Sequence, residues 1–282
     1  MNLTRIIRAT LAAAALACCV ATAVFGQQDA GRAIGLDTYR LVRGPIEIAG
    51  LPDNASGLAY SPVSKTLFLA VDRPTQIVEL DLDGRLRRRI DMRGFEDTEG
   101  IAHWKENWFA VVEERRYMLC FVAIGPETRA IDYEPAPKFQ LETDTGDNSG
   151  LEGVAIDPAG KRFYCLKEKL PRKVYVFPVP ASRDARIRPE HPWSVDDEQR
   201  GGLDDLSGAH FDRRSGHLLI LSHESAAVLE CTTEGKTVAR LSLRRDSAGL
   251  DRAIPKAEGI TMDAEGRLYI CSEPNLLYVF SK

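Results

Sequence analysis

Short apolar runs separated by polar turns recur along the whole chain after residue 38. The first unit of this pattern contains residues 65–71 and 76–80, and the last contains residues 267–271 and 276–280. Runs of this length, rich in β-branched and aromatic residues and bounded by Gly, Pro, Asp or Asn, are typical of β-strands. No segment after residue 38 keeps a helical period over a useful length. The pattern therefore predicts an all-β protein.

A short phrase occurs five times in the same region: a small or acidic residue, a glycine, an apolar residue and usually a small residue. Its copies start at Ser56, Glu99, Glu152, Ser207 and Glu258. Successive glycines of the phrase lie 43, 53, 55 and 51 residues apart. A period of roughly 40 to 50 residues, with about four strands in each unit, is typical of β-propeller blades. The repeat therefore predicts a five-bladed β-propeller.

The fifth unit has three strands where the others average four, because the chain ends at Lys282. A strand-like segment within residues 39–49 precedes the first unit. We expect it to pair beside residues 276–281 and complete the last blade, which removes two unpaired sheet edges. The predicted propeller domain spans residues 39–282. Its widest insertion, residues 178–203, is predicted to be a long surface loop with a short edge strand.

The first 26 residues differ from the rest of the chain. Arg5 and Arg8 precede an alanine-rich apolar stretch over residues 9–24, and polar residues follow it. This order predicts a secretory signal peptide, with a linker over residues 27–38. A lipoprotein signal with lipidated Cys18 and a retained membrane anchor are the alternatives. All three predict an exported protein, in the periplasm or on the outer side of the plasma membrane.

Charge and cysteine content narrow the choice of partners. Removal of Arg5 and Arg8 with such a signal leaves 35 of the 37 basic residues against 41 acidic ones, a net charge of −6. This balance argues against a nucleic-acid partner. The four remaining cysteines fall in different units without a CxxC spacing, so no metal-binding or redox pair is predicted. Cys165 and Cys271 occupy the same strand of two units and are expected to be small core residues.

Candidate chemistry lies where the repeated phrases begin, because each phrase marks the start of an innermost strand. Their first residues should converge near the axis, and the turns between second and third strands should return to the same face. Carboxylates gathered in a narrow channel repel one another, so they take up protons or share a cation. The turns supply Asp72, Glu113 or Glu114, Lys167 or Glu168, His223 or Glu224, and Ser272 or Glu273.

Oxygen donors with no cysteine and little histidine favour Ca²⁺, which takes six to eight oxygen ligands at roughly 2.3–2.6 Å. Mg²⁺ is the next choice, and Zn²⁺ fits less well. In the alternative, the glutamates cap backbone N–H groups of neighbouring blades and hold the ring together without a metal. Three glutamates at one repeat position favour the cation, and an acidic loop over residues 144–148 could add ligands. The candidate metal ligands are Glu99, Glu152, Glu258, Ser56, Ser207, Asp72, Glu113, His223 and Glu273.

The phrases around these residues resemble those of the SdiA-regulated (YjiK-like) propeller proteins, which are distantly related to NHL-repeat proteins. The resemblance is carried by residues 54–60, 97–102, 149–155, 204–209 and 257–263, and it covers residues of about 45 to 282. It implies a five-bladed propeller with a calcium site, often envelope- or membrane-associated, whose biochemical role is unsettled. Lys167 stands where other units offer an acidic residue, which breaks the ring of outer ligands.

Two functions are compatible with these features. The first is a binding module: a Ca²⁺-stabilised, monomeric propeller in the cell envelope that presents one face to a small molecule or an envelope protein. The second is a metal-dependent hydrolase of lactonase, esterase or phosphoesterase type, by analogy with propellers that hold Ca²⁺ on the axis. Such an enzyme needs a base near its substrate, and Asp72 and His223 are the candidates. The sequence contains no G-x-S-x-G, H-E-x-x-H or phosphate-binding glycine motif.

Overall fold

The computed structural model describes residues 31–51, 53–143, 150–159, 161–169, 171–179, 185–196 and 202–282. In these residues a short 3₁₀-helix (Leu36–Thr38) precedes a series of β-strands. The strands are β1 (Arg40–Glu47), β2 (Ala55–Ser61), β3 (Thr66–Val71), β4 (Gln76–Leu80), β5 (Leu86–Arg93), β6 (Thr98–Lys105), β7 (Trp108–Glu113), β8 (Met118–Ala123), β9 (Ala130–Asp132), β10 (Lys138–Leu141), β11 (Leu151–Asp157), β12 (Arg162–Lys167), β13 (Lys173–Pro178), β14 (Arg186–Ile187), β15 (Trp193–Ser194), β16 (Gly208–Asp212), β17 (His217–Ser222), β18 (Ala227–Cys231), β19 (Thr237–Ser242), β20 (Ala257–Met262), β21 (Leu268–Ser272) and β22 (Leu276–Ser281). In this described part of the chain, no helix is long and apolar enough to cross a membrane.

The strands form five sheets, which are the five blades of a β-propeller and confirm the predicted fold. Blade one is β2-β3-β4-β5, blade two β6-β7-β8-β10, blade three β11-β12-β13-β15 and blade four β16-β17-β18-β19. The short strands β9 and β14 pair in parallel with the outermost strands of blades one and two. β9 lies between β8 and β10 of blade two, and β14 lies between β13 and β15 of blade three. Each therefore covers the exposed edge of the preceding blade.

Blade five is closed by the N-terminal strand, as the sequence predicted. Its order is β20-β21-β22-β1, and β1 pairs antiparallel with β22 from Arg40 opposite Ser281 to Glu47 opposite Leu276. The first and last strands of the chain therefore share one sheet. This pairing holds the ring shut and leaves neither strand as a free edge at that junction.

The chain before β1 also packs on the propeller. Ile34, Leu36 and Tyr39 are buried in the cluster between blades four and five. The backbone N–H of Ile34 donates to Glu230 Oε1 at 2.7 Å, and the Tyr39 hydroxyl donates to the carbonyl of Gly266 at 2.7 Å. The segment predicted as a linker thus contributes to the core from Ile34 onward. The predicted signal peptide, including Cys18, lies outside the described residues, as do residues 27–30 and 144–149.

The hydrophobic core is divided into five clusters, one between each pair of neighbouring blades. Alternation along each strand produces this division, because successive side chains point to opposite faces of a sheet. Phe68 packs towards blade two, with its ring centroid 4.6 Å from that of Phe109, whereas Leu67 and Leu69 pack towards blade five. The four cysteines of the described residues are unpaired and buried.

The repeated glycines let the inner strands pack side by side around the axis. A Cβ atom on Gly57 would lie 2.7 Å from the backbone N of Ile101 in blade two, and closer still to the carbonyl of Glu99. Gly100 faces the carbonyl of Glu152 in blade three in the same way, and Gly208 faces that of Glu258 in blade five. At Gly153 the nearest backbone atom of the next blade is the N of Ala209 at 3.1 Å, and Gly259 faces the carbonyl of Ser56 in blade one. The sequence repeat therefore marks a close approach of backbones at every blade junction.

A methyl group at this ring should therefore be costly. We expect Gly57→Ala to lower the free energy of unfolding by about 3 kcal/mol, because backbone atoms must move to admit the Cβ. That loss corresponds to a Tm lower by roughly 6–12 °C for a domain of this size. Gly125→Ala is the matched control, since its Cβ would find no described atom nearer than 3.9 Å. Equal melting of the two variants in thermal denaturation would contradict the close-approach explanation.

Candidate metal centre

The five inner strands begin side by side around the axis and bring the first residues of the repeated phrases to one cavity. This cavity, the acidic mouth, has a volume of about 190 Å³. Eight of the nine candidate ligands line it, and their role as metal ligands stays a prediction. Its walls are Asn54, Ser56, Asp72, Arg73, Glu99, Glu152, Glu168, Asp205, Ser207, His223, Glu258 and Glu273.

Glu113 is the candidate ligand that the structure places elsewhere. Its side chain is fully buried inside blade two, where Oε1 accepts the backbone N–H of Glu96 at 2.8 Å and an Arg116 N–H at 3.2 Å. These contacts fix the carboxylate within the blade and away from the axis. Glu113 therefore stabilises the turn that leads into β6, and the expectation for this residue is corrected.

Glu114 occupies the position expected of Glu113. The residue that reaches the mouth is the one directly after the second strand of its blade, as Asp72, Glu168, His223 and Glu273 all are. β7 ends at Glu113, so the same rule selects Glu114. A Glu114 oxygen lies within 4.8 Å of oxygens of Asp97 and Glu99. In blade three the rule selects Glu168, so the buried Lys167 does not interrupt the ring of acids.

A further set of residues, at and beside the acidic mouth, lies two positions before each phrase. Asn54, Asp97 and Lys256 occupy this position in blades one, two and five, with φ angles of 62°, 54° and 34°. Left-handed backbone at a non-glycine residue is uncommon, and its recurrence at one repeat position turns the chain into the inner strand in the same way. Asp205 holds the same position in blade four. Asp97 and Asp205 are not among the candidate ligands predicted from the sequence, although their offset from the phrase is constant.

Burial and mutual repulsion raise the pKa values of the inner glutamates. Burial is the larger cause in each case, and neighbouring carboxylates add to it. The pKa of Glu99 rises to about 8, that of Glu258 to about 8 and that of Glu114 to about 7. The pKa of Glu152 rises well above its ordinary value, because Glu152 is buried and faces Glu99, Glu114, Glu168 and Glu258. At neutral pH these groups must hold protons or share a cation.

The outer carboxylates of the mouth have basic partners. Among the described residues, by contrast, none of the phrase glutamates Glu99, Glu152 and Glu258 forms an ion pair. The outer carboxylates are therefore largely neutralised by basic side chains, whereas the three phrase glutamates have no such neutralising partner in the described part of the chain. The outer pairs are Asp72 with Arg73 at 2.6 Å, Asp97 with Arg115 at 2.9 Å, Glu168 with Lys169 at 3.3 Å, and Glu273 with Lys256.

The donor set of the mouth suits a hard cation. It offers carboxylate oxygens, the hydroxyls of Ser56 and Ser207 and the amide of Asn54, with a single imidazole and no thiol. Oxygen-rich sets of this kind favour Ca²⁺, whose flexible coordination accepts donors from several chain segments. Zn²⁺ sites usually contain nitrogen or sulfur ligands. The residues present therefore fit Ca²⁺ better than Zn²⁺.

His223 lies at the same mouth beside a carboxylate. Its Nδ1 is 3.9 Å from Asp205 Oδ2, and Asp205 Oδ1 accepts the backbone N–H of Glu224 at 3.0 Å and the hydroxyl of Ser222. Asp205 is thus fixed by its own turn, and its separation of 3.9 Å from the imidazole is longer than a hydrogen bond. His223 is half-buried, so one side of its ring stays accessible from the mouth.

Comparison with known proteins agrees with this architecture. A family profile described as SdiA-regulated matches residues 31–281. Among solved structures, a Myxococcus xanthus glutaminyl cyclase superposes with a TM-score of 0.59 at 12% identity, covering 86% of this chain and 95% of the cyclase. A nidogen–laminin complex gives a TM-score of 0.51 at 14% identity, covering 78% of this chain and 73% of the matched one. A luciferin-regenerating enzyme gives 0.50 at 12% identity, covering 84% and 94%. At these identities the structures share the fold alone.

Proposed function

The chain belongs to the SdiA-regulated family of β-propellers, and we propose that it is a calcium-binding module of the cell envelope. In this proposal the acidic mouth binds Ca²⁺ and presents that face of the ring to a small molecule or an envelope protein. One observation carries it: Glu99, Glu152 and Glu258 converge at one mouth without a basic partner among the described residues, while the carboxylates around them are paired.

A bound cation would hold blades together that otherwise repel at the axis. Glu99, Glu152 and Glu258 come from blades two, three and five, so a shared ion would link non-adjacent parts of the ring. Ser56 and Ser207 supply blades one and four with neutral oxygens at the same repeat position. Ser207 already donates to the carbonyl of Ala257 in blade five at 2.7 Å. The site would thereby couple ion binding to ring closure.

The envelope location rests on the N-terminal sequence. Its order of basic, apolar and polar residues is that of an export signal. Calcium sites of extracellular modules typically have dissociation constants of about 10⁻⁴–10⁻³ M, weaker than those of cytosolic sites. We expect an affinity in that range, with the protein acting as a monomer.

Calorimetric titration tests the proposal directly. We expect one Ca²⁺ to bind per chain, and Mg²⁺ to bind more weakly, because Mg²⁺ demands stricter octahedral geometry. Glu152→Gln should weaken Ca²⁺ binding at least about tenfold, since a charge-assisted contact is worth about 1.5–3 kcal/mol. Glu134→Gln, on an exposed connection of blade two, is the matched control and should bind normally. No heat of binding, or equal affinities of both variants, would contradict the proposal.

A metal-dependent hydrolase is the second candidate, and the placement of His223 favours it. Asp72 and His223 both line the acidic mouth. Arg73 Nε donates a hydrogen bond to Asp72 Oδ2 at 2.6 Å, so that oxygen is already engaged. His223 is therefore the better-placed base. In a hydrolase a bound cation would stabilise developing negative charge on a substrate oxygen. His223, with Asp205 nearby, would accept the proton of the attacking water.

A substrate panel separates the two candidates. It should contain a lactone, an aryl ester, a phosphate monoester and a peptide with N-terminal glutamine, because a glutaminyl cyclase shares the fold. The hydrolase candidate expects Ca²⁺-dependent turnover of at least one hydrolysable substrate, lost in His223→Gln while Ca²⁺ binding persists. Absence of turnover across the panel, with Ca²⁺ bound, would leave the binding module as the function.

A further inference from the structure

A second cavity lies on the axis at the opposite end of the propeller. All five inner strands start at the acidic mouth, so their C-terminal halves line the other end. The repeat glycines form a throat of only about 10 Å³ between the two ends. Beyond it the channel widens to about 330 Å³. This size lies within the range of small-molecule sites, about 300–1,000 Å³, so the opposite face can hold a ligand independently of the mouth.

The wall of this cavity is mainly apolar, with one exception in the repeat. The residue two places after each phrase glycine is Ala59, Ala102, Ala155 or Thr261 in four blades, and small side chains leave the axis open. In blade four that position is His210. The chain thus places one imidazole where the repeat otherwise keeps the channel clear. A residue required only for packing would be expected to follow the pattern of the other blades.

His210 is held as a neutral ring. Its Nδ1 lies 3.4 Å from the hydroxyl of Thr261, whose oxygen already accepts the backbone N–H of Tyr60 at 3.0 Å. The Thr261 oxygen keeps a second lone pair, so its hydroxyl can donate to Nδ1 or accept from it. Burial lowers the pKa of His210 to about 4, so the ring is neutral. Among the described residues, Nε2 is the ring nitrogen without a hydrogen bond, and it can donate to or accept from a ligand according to the tautomer.

Arg213 brings a positive charge to the same cavity. It follows β16 and reaches across to blade two, where Nη2 donates to the carbonyls of Trp104 at 2.9 Å and His103 at 3.5 Å. Among the described residues, Nε and Nη1 make no hydrogen bond and no carboxylate lies within ion-pair distance of the guanidinium, although the charge of Asp157 acts on it from further away. A guanidinium has five N–H donors in a fixed plane, so several stay available to a bound anion.

The other charges of the cavity are compensated. Asp212 pairs with Arg214 at 3.0 Å, and Asp263 pairs with Arg267 at 2.6 Å. His103 donates Nε2–H to the carbonyl of Glu106 at 2.8 Å, because a carbonyl can only accept. Burial lowers the pKa of His103, so this ring too is neutral at neutral pH. Arg213 is therefore the cation of the cavity that forms no ion pair among the described residues, and a ligand carboxylate can bind to it.

We propose that this cavity, on the face opposite the acidic mouth, binds a small, mainly apolar molecule that carries one carboxylate. Arg213 would bind the carboxylate at the rim, and the alanine-lined channel would take the apolar part. His210 Nε2 would form a hydrogen bond with a polar atom of the ligand deeper in the channel. Arg214 also lines the cavity, but it pairs with Asp212 at 3.0 Å, so Arg213 is the better-placed cation for the carboxylate.

Calorimetry with 2-naphthoate and its neutral analogue 2-naphthalenemethanol tests this site. We expect saturable one-to-one binding of both, with the carboxylate bound about tenfold more tightly. Arg213→Gln should remove that difference while leaving the alcohol unaffected. Arg87→Gln is the matched control, because Arg87 is an exposed arginine of β5. Ala102→Phe, which fills the channel, should abolish binding of both probes.

Three results would overturn the proposal: no saturable binding of 2-naphthoate, equal affinity for both probes in the wild type, or undiminished binding to folded Ala102→Phe. If Ala102→Phe does not fold, Arg213→Gln against Arg87→Gln decides the question alone. Each titration is run with EDTA and with Ca²⁺, and the naphthoate affinity should be the same. Failure of calcium binding at the mouth and failure of this site are therefore distinguishable.

Discussion

Removal of residues 27–50 should yield a chain that aggregates or does not fold. The deletion takes away β1 and exposes the whole edge of β22 in blade five. It also removes Ile34, Leu36, Tyr39 and Ile48, which are all nearly inaccessible to solvent. At about 1.5–3 kcal/mol for each large apolar side chain, the loss is comparable to the entire stability of a typical domain, about 5–15 kcal/mol.

The control for this deletion is a chain that begins at residue 31 and keeps every described contact of the N-terminal segment. We expect the control to be monomeric in size-exclusion chromatography and to melt cooperatively. The shorter chain should appear in the insoluble fraction or elute as aggregate. A soluble, monomeric chain lacking residues 27–50, with the Tm of the control, would show that β1 does not close the ring.

The second large effect concerns calcium and pH together. In EDTA, we expect the Tm to fall as the pH rises from 5.5 to 8.5, on account of the mouth glutamates. The pKa values of Glu99 and Glu258 are raised to about 8 in the folded state, so the folded chain holds protons that the unfolded chain releases near its ordinary pKa of 4.5. The contribution of these protons to the free energy of unfolding is complete below the unfolded-state pKa of 4.5 and is lost as the pH rises towards 8.

Calcium should reverse this loss. A ligand that binds only the folded state at one hundred times its Kd adds about 2.7 kcal/mol, or roughly 5–10 °C in Tm for a chain of this size. The gain should be larger at pH 8.5 than at pH 5.5, because protons compete with Ca²⁺ for the same oxygens. Glu152→Gln should show a smaller calcium response and a flatter pH profile in EDTA, whereas Glu134→Gln should match the wild type. Other titrating groups affect both arms equally, so the difference between Ca²⁺ and EDTA is the quantity to compare.

The fold can be predicted from the sequence because its blades repeat one sequence pattern. Each phrase glycine marks a contact between neighbouring inner strands, as the backbone approach of Gly57 to Ile101 illustrates. The closing strand β1 can also be predicted, because the last unit contains three strands and a complete blade needs four. The parallel edge strands β9 and β14 do not follow from the repeat, because each pairs with a blade that precedes it in the chain. Both strands lie in the connection between the third and fourth strands of the following blade, outside the repeated phrase by which the blades are recognised.

The residues of the site can be predicted from the sequence only at positions that recur in every unit. The phrase residues Ser56, Glu99 and Glu258 could be selected because they share one offset. The choice between Glu113 and Glu114 depends on the residue at which the second strand ends, and the structure shows that β7 ends at Glu113. The acidic group at Asp97 lies at a constant offset before the phrase and could have been found in this way. The contact of Arg213 with blade two could not, because it joins segments about a hundred residues apart without a repeat signal.

Crystals grown with Ca²⁺ and measured at a long X-ray wavelength would show whether the acidic mouth binds calcium. We expect one anomalous difference peak on the axis, at roughly 2.3–2.6 Å from carboxylate oxygens of Glu99, Glu152 and Glu258. The same peak should be absent or much weaker in crystals of Glu152→Gln. A wild-type map without a peak there, in which these glutamates accept backbone N–H groups of neighbouring blades, would contradict the claim and return them to a purely structural role.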